Sequence, residues 1–388
     1  MTTAAEKILS DVRDFAPSLV ARAADIEAAR RLPPALVKEL EALGLFRMLV
    51  PQGHGGLEVP FPPTIDILAA LSAADGATGW TVMIGCETPQ LFSLLPRSSF
   101  DRVYANGPDV VCGGAFAPQG KAVVEAAGGY RVSGRWGFAS GCQHASWLFG
   151  QCVVVSDGAP VPGALPGAPK LRCMVLPASR WQILDTWHTS GMRGTGSHDI
   201  AVEGAHVDET WTFDLWLGQP SVEGPLFASP VLQFSMHIGA VALGIAEGAI
   251  GDLAALAGTH KVRLYARAEL ADQPLFQYRL GHAEIDARAA RAFLKSCAEE
   301  YWAHARAGSL DATFFTRVLS TVAWVAETAT NVVDACYQAG GASAIYDKSP
   351  LQRRLRDIHT LTQHASVQEN VFMTAGAEKL GKPGSFGP

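Results

Sequence analysis

The stretch 130–155, YRVSGRWGFASGCQHASWLFGQCVVV, decides the fold class. Two runs rich in Val, Trp and other aromatics, 130–133 and 147–155, flank a segment holding Gly, Ser and Phe. That is the grammar of short strands, not of a helix. Further runs follow on either side at 122–125 and 173–176, punctuated by Gly128-Gly129, Asp157-Gly158 and Pro162-Gly163. No gap among them has room for a helix with its own period, so the block predicts an antiparallel β domain over 107–213, not a parallel one. The Pro-, Gly- and Ala-rich stretch 158–170 is expected to be an exposed loop.

Outward from this block the chain is helical on both sides. Leu36, Leu40, Leu43 and Leu45 recur near helical spacing after Pro33-Pro34, where proline suits a first turn. The run from Pro51 to Gly56 breaks the pattern, an apolar helix over 65–73 follows, and another lies around Trp80. Beyond the β block, helices are expected over 277–307, 311–338 and 351–377. Gly244 and Gly248 share an earlier helix and leave room for a neighbouring backbone. Helices, then strands, then helices make an α+β chain.

Composition narrows the function. Of 388 residues, 48% are hydrophobic and 18% charged, below the roughly 25% charge of an average domain. Lys+Arg number 31 against Asp+Glu 37, a net charge of −6, with no basic stretch to bind a duplex. Seven cysteines without CxxC spacing fit neither a disulfide scaffold nor a zinc knuckle, and suggest buried thiols in a reducing compartment. No apolar signal segment opens the chain, and Glu247 and Asp252 interrupt the apolar run 238–258, so a cytoplasmic protein with no membrane span is expected. GxxxxGK[ST], GxSxG and HExxH are all missing, and GMRGTG at 191–196 has the wrong spacing for a dinucleotide loop. No nicotinamide domain and no metal site is expected.

Four segments in order resemble the acyl-CoA dehydrogenase superfamily: 36–58 with LGLFRMLVPQGHGGLE; 134–140, GRWGFAS; 187–207 with GMRGTGSHDI; and QAGG at 338–341 followed by PLQRRLRD at 350–357. The resemblance implies an N-terminal helical domain (1–106), a central antiparallel β domain (107–213) and a C-terminal four-helix bundle (214–388). It also implies a homotetramer, with contacts placed at Gly244, Gly248 and the 321–333 region, which would account for the shortage of charge. The superfamily's dehydrogenases carry a glutamate shortly after the Arg-Asp pair; here His364-Ala365 stands in that place. The chain is instead similar to the two-component flavin monooxygenases of this fold, whose W-x-F-x-S-G segment is matched by Trp136, Phe138, Ser140 and Gly141. That branch implies reduced flavin (FMN or FAD) delivered by a separate NAD(P)H-dependent reductase. With O₂ it would hydroxylate a small aromatic or heteroaromatic substrate through a C4a-hydroperoxyflavin. An acyl-CoA dehydrogenase or oxidase with bound FAD, and a flavin-free binding scaffold, are the alternatives.

The resemblance gives each residue a role. Ser140 would accept from or share a hydrogen bond with flavin N5–H, and His364, titrating near neutrality, would move a proton. Arg193 would neutralise the reduced flavin or its phosphate, or else pair with Asp185 or Asp199. Thr195 and the backbone of the 191–196 turn would cradle phosphate. Gln338, Gly340 and Gly341 would touch a neighbouring subunit's cofactor or simply form an inter-helix turn. Trp136 and Phe138, spaced by two, would share a sheet face and shield the flavin or fill the core. Trp80, Cys86 and Glu87 are expected in the substrate pocket, where Glu87 would orient an N–H donor such as indole. His144 and His198 read as turn or surface residues, and His359 faces away from His364.

Overall fold

The computed structural model describes residues 3–260, 262, 266–311 and 313–382. Thr3 and Glu6 cap each other's backbone at the start of α1 (Ala4–Ala29), satisfying donors that a helix start leaves open. Prolines occupy the first turns of α2 (Pro34–Ala42) and α3 (Phe61–Ala74). Asp75 caps α4 (Gly76–Phe92), accepting from the Thr78 N–H at 2.8 Å. A short α5 (Arg97–Val103) leads to the sheet.

The strands are β1 (Cys112–Val124), β2 (Tyr130–Trp136), β3 (Trp147–Ser156), β4 (Ala159–Pro160), β5 (Leu171–Pro177), β6 (Gln182–Leu184), β7 (Asp199–Val207) and β8 (Thr212–Phe213). Their order is β6-β7-β2-β1-β3-β5-β8, with β4 paired to β3. The sheet is mixed, not antiparallel as expected, because β1 and β3 run parallel from Cys112↔Trp147 to Val123↔Val155. The return path is a strand: β2 turns back antiparallel beside β1, and residues 137–146 then carry the chain across to the other side of β1. No crossover helix is needed, so looking for one between consecutive strands misses the parallel pair. That crossing segment holds Phe138, Ser140 and Gly141.

Trp136 shows why the segment before it is rich in glycine. Its indole lies where a Cβ on Gly120, Gly134 or Gly150 would come within 1.9, 2.7 and 2.7 Å of it. Three adjacent strands thus leave a slot for one ring, and the indole N–H donates to the Gln151 carbonyl at 2.6 Å.

The C-terminal part packs α6 (Pro230–Ala257), α7 (Pro274–Ala307), α8 (Thr313–Gly340) and α9 (Pro350–Leu361) together, with α10 (Asn370–Lys379) against α8. By length and composition α6 could cross a membrane, but it is apolar on all sides because α3, α4, α7, α8 and α9 surround it. Gly244 and Gly248 serve that packing: a Cβ there would lie 2.3 Å from the Ala69 carbonyl oxygen and 2.5 Å from that of Ala73. Their close neighbour is α3 of the same chain, not another subunit. The helix expected over 351–377 is broken between α9 and α10. There Thr362, His364 and Ser366 form side-chain-to-backbone hydrogen bonds that compete with the helical ladder. All seven cysteines are buried and unbonded to one another.

Two of the segments that carry the resemblance dock on each other. A Cβ on Gly191 would sit 2.0 Å from the Arg356 carbonyl oxygen, and Asp357 accepts from the Met192 N–H at 2.6 Å. Burial, reinforced by nearby Asp75, pushes the Asp357 carboxyl up to about 7. Its folded value lies above the unfolded one near 3.9, so the folded state is favoured at low pH and loses stability as pH rises from about 4 to about 7. Asp357→Asn keeps an acceptor for Met192 and removes the charge. The variant should gain on the order of 2–4 kcal/mol over the parent at pH 8 and little at pH 4.5. Urea unfolding at the two pH values measures this; equal differences would refute it.

Candidate functional site

The segment crossing from β2 to β3 locks onto the loop before β7. The Gly141 N–H donates to the Thr195 carbonyl (2.9 Å) and the Ala139 N–H to the His198 carbonyl (3.2 Å). Gly141 has φ +69°, and a Cβ there would meet the Thr81 methyl at 3.3 Å, so a larger residue would strain the junction.

Four polar groups then line up. The Thr195 hydroxyl donates to the Met192 carbonyl at 2.8 Å and lies 2.6 Å from Ser197 Oγ. Ser197 Oγ is 2.7 Å from Ser140 Oγ. With the Thr195 hydrogen committed, Ser197 must donate to Thr195, and Ser140 to Ser197. Ser140 also accepts the Trp80 indole N–H at 3.0 Å. Its own hydrogen is therefore used, and one lone pair remains. In this setting Ser140 is an acceptor.

His364 packs against the same tryptophan that Ser140 binds, its ring 5.7 Å from the Trp80 ring and 5.8 Å from Phe234. The break after α9 puts it there. Its Nδ1 accepts the Ser366 N–H at 3.2 Å, so the neutral ring carries its proton on Nε2. That Nε2–H has no protein partner among the described residues. Burial pulls its pKa down to about 4. The expectation that His364 titrates near neutrality is therefore corrected: at pH 7 it is a neutral hydrogen-bond donor.

Other expected residues fall elsewhere. Trp136 has no exposed surface and packs 5.3 Å from Trp181. It belongs to the sheet core and cannot shield a cofactor. Phe138 does not share its face, because β2 ends at Trp136 and Phe138 adopts φ +65°; its side chain is 77% exposed, against Trp187. Arg193 pairs with neither Asp185 nor Asp199. It donates to the Thr189 carbonyl at 2.8 Å and lies 3.9 Å from Glu27 of α1, while Asp185 and Asp199 hold Arg30 and Arg135. Gln338 and Gly340 form the end of α8 and Gly341 opens the turn after it; a Cβ on Gly340 would press on Leu351 at 2.7 Å. Cys86 donates to the Met83 carbonyl inside the core. His198 is buried, not on the surface, its Nδ1 accepting from the Thr186 and Trp187 N–H groups. Burial likewise takes His144 down to about 4. Glu87 is buried and bonded to His237 of α6, a partner that sequence reasoning missed because 150 residues separate them.

A helical layer, a mixed sheet and a helical bundle in this order define the class: proteins of the acyl-CoA dehydrogenase fold. The family models agree. Residues 2–92 match the acyl-CoA dehydrogenase N-terminal domain and residues 236–369 the acyl-CoA dehydrogenase C-terminal domain. An indole-3-acetate monooxygenase from Pseudomonas putida is 35% identical over 97% of this chain and 93% of its own. The oxygenase subunit HsaA, a flavin-dependent monooxygenase from Mycobacterium tuberculosis, is 30% identical over 98% and 96%. The crystal structure of XiaF from Streptomyces sp., in complex with FADH2 and glycerol, superposes with a TM-score of 0.90 at 26% identity, covering 99% and 97%. The chain belongs to the acyl-CoA dehydrogenase family, and within it to the flavin-dependent monooxygenases. Its cofactor is reduced flavin.

Proposed function

We propose that this protein is the oxygenase of a two-component system that hydroxylates a small aromatic or heteroaromatic substrate at the Ser140–Trp80–His364 cluster. The observation that carries the reading is the one-way hydroxyl chain, which leaves Ser140 as an acceptor. A reduced flavin offers an N–H at N5, and an acceptor is what such a group needs, so the residues fit the cofactor. Bound flavin supplies the two electrons with which one oxygen atom of O₂ goes to the substrate and the other to water. Ser140 holds the flavin edge by its free lone pair. The exposed Phe138 against Trp187 covers the flavin from water, and His364 Nε2–H donates to oxygen beside the substrate. Arg193 and the 191–196 turn approach the phosphate, and Gln338, Gly340 and Gly341 reach a neighbouring subunit's cofactor. Hydride chemistry on NAD(P)H takes place on a separate reductase.

The same reading divides the chain at 106/107 and 213/214, places it in the cytoplasm and makes it a homotetramer. Its subunit contacts are moved from the 321–333 region, most of which is buried within the chain, to the outer face of α7. Leu275, Tyr278, Ile285 and Phe293 are exposed there at helical spacing. Light scattering tests the assembly.

The test of function is turnover under ¹⁸O₂ with a flavin reductase, NADH and a panel of indoles and phenols. One ¹⁸O atom per product is expected; hydrogen peroxide alone from every substrate would overturn the reading. His364→Ala should cut product formation on the order of tenfold to a hundredfold, as loss of a buried hydrogen bond of about 1–3 kcal/mol does, with reduced-flavin affinity changed less than about threefold. Because His364 stays neutral, its ring signals should not titrate between pH 5.5 and 8.5 by NMR. A midpoint in that window would refute the assignment.

A further inference from the structure

In α4 every residue is buried except Ile84, which keeps partial exposure. The opening on this helix is therefore at Ile84. Trp80, four residues back, and Glu87, three residues on, are its neighbours on that face. Trp80 and Glu87 stand about 10.5 Å apart along the axis, the reach of a bicyclic aromatic molecule.

Glu87 ends a chain of buried groups. The Thr64 hydroxyl donates to the Phe61 carbonyl at 2.5 Å, so Thr64 Oγ1, 2.6 Å from His237 Nε2, accepts the N–H there. His237 Nδ1 meets Glu87 Oε1, and the two share one proton. Whichever of them holds it, Glu87 Oε2 carries no hydrogen and is an acceptor. It is buried and has no hydrogen-bond partner among the described residues. One turn further on, Gln90 repeats the pattern. Its amide nitrogen is committed to the Leu226 carbonyl and Gln233 Oε1, and its Oε1 is buried without a partner among the described residues. A buried acceptor with no donor is unfavourable, and two on one helix face mark a place for donors.

We infer that Glu87, locked by His237 and Thr64, is the specificity-determining acceptor that reads a hydrogen-bond donor on the substrate ring, an aromatic N–H or O–H. The inference rests on the hydroxylase reading and narrows it. An acceptor wall repels a carboxylate, so an acidic side chain on the substrate stays at the other end of the cleft, away from Glu87. Glu87 is a positioning residue; it gives no proton to the reacting oxygen.

The test compares indole, 1-methylindole, which lacks the donor, and benzofuran, with phenol and anisole as the O–H arm. It measures kcat/KM in the reductase-coupled reaction and, separately, anaerobic equilibrium dialysis with reduced FMN and no O₂. Indole should exceed 1-methylindole at least about tenfold in both measurements, since a site built around a donor rejects an analogue lacking it. In Glu87→Gln the amide N–H would donate to His237 Nδ1 and leave Oε1 as the acceptor, so the variant that removes the acceptor is Glu87→Leu. It should bring the indole/1-methylindole ratio below about threefold and raise benzofuran relative to indole. A wild-type ratio near one in dialysis, or an unchanged ratio in a Glu87→Leu protein folded by circular dichroism, overturns the inference. If that variant does not fold, the wild-type ratio decides. Equal oxygenation of indole and 1-methylindole sinks the inference alone. No oxygenated product from any ring sinks the hydroxylase reading, while the dialysis ratio still settles Glu87.

Discussion

Ser140→Ala is expected to uncouple the enzyme: reduced flavin is still oxidised, but the share of O₂ ending in hydroxylated product falls about tenfold to a hundredfold. That factor corresponds to the roughly 1–3 kcal/mol lost when a buried group loses its hydrogen-bond partner. Three groups lose a partner at once: the flavin N–H, the Trp80 indole N–H that now donates to Ser140, and Ser197 Oγ, which accepts from Ser140. The substitution therefore also lowers stability, by about 1–3 kcal/mol. Ser197→Ala separates the effects. It leaves Ser140 and Trp80 bonded but frees the Ser140 hydrogen, so Ser140 can present a donor where an acceptor is required. An intermediate loss of coupling is expected for Ser197→Ala, with the Trp80 environment retained by fluorescence. Product-to-peroxide ratios matching the parent in Ser140→Ala would remove the serine from the site. A Ser197→Ala protein as uncoupled as Ser140→Ala would show that the direction of the hydroxyl chain is wrong.

Much of this was legible in the sequence because the informative segments are those whose backbones touch. Gly191 has no space for a side chain because Arg356 crosses it, and GRWGFAS ends a strand whose tryptophan needs glycine on its own strand and on β1 and β3. Such demands leave marks in the sequence near the residue that makes them. Ser140 lies within such a segment and His364 a short way beyond another, so a reading of the sequence picks both out as candidates. What stayed hidden depends on distance or on proton bookkeeping. That Trp136 turns inward while Phe138 turns out follows from one positive φ at the end of β2, which period-two spacing cannot show. The parallel β1–β3 pair needed the return path through β2. His237 carried no local signal at all. It sits in the middle of an apolar run, and only the packing of α4 on α6 makes it the partner of Glu87. The low pKa of His364 is a matter of burial, which residue type does not report.

Arg354→Met should be the most destabilising single change in the bundle. The Arg354 guanidinium is almost fully buried, donating to Asp252 at 3.0 Å and to the carbonyls of Ser72 (3.2 Å), Ala73 (2.6 Å) and Ala74 (3.4 Å). Those carbonyls are the last of α3, where a helix leaves acceptors unsatisfied and favours a cation. Gly248 makes room for the head group: a Cβ there would lie 2.5 Å from Arg354 Cζ. One side chain on α9 thus closes the end of α3 and ties it to α6 through Asp252. Methionine fills part of the volume but leaves three carbonyls and one carboxylate without their donor. Removing one partner of a buried pair costs about 3–5 kcal/mol. With unfolding entropies of about 2.1 cal/mol/K per residue, this is a fall in Tm of about 5 °C for a chain of this length. Arg97→Met is the contrast, because Arg97 pairs with Asp101 on the surface, where such pairs contribute about 0–1 kcal/mol. Its Tm should move by less than about 1 °C. Three residues along α9 from Arg354, Asp357→Asn is expected to stabilise at alkaline pH. Opposite signs at two charged residues of one short helix separate a charge that its partners hold from one that burial opposes. Scanning calorimetry of the three variants at pH 8 decides the matter, and an Arg354→Met midpoint within 1 °C of the parent would refute the clamp.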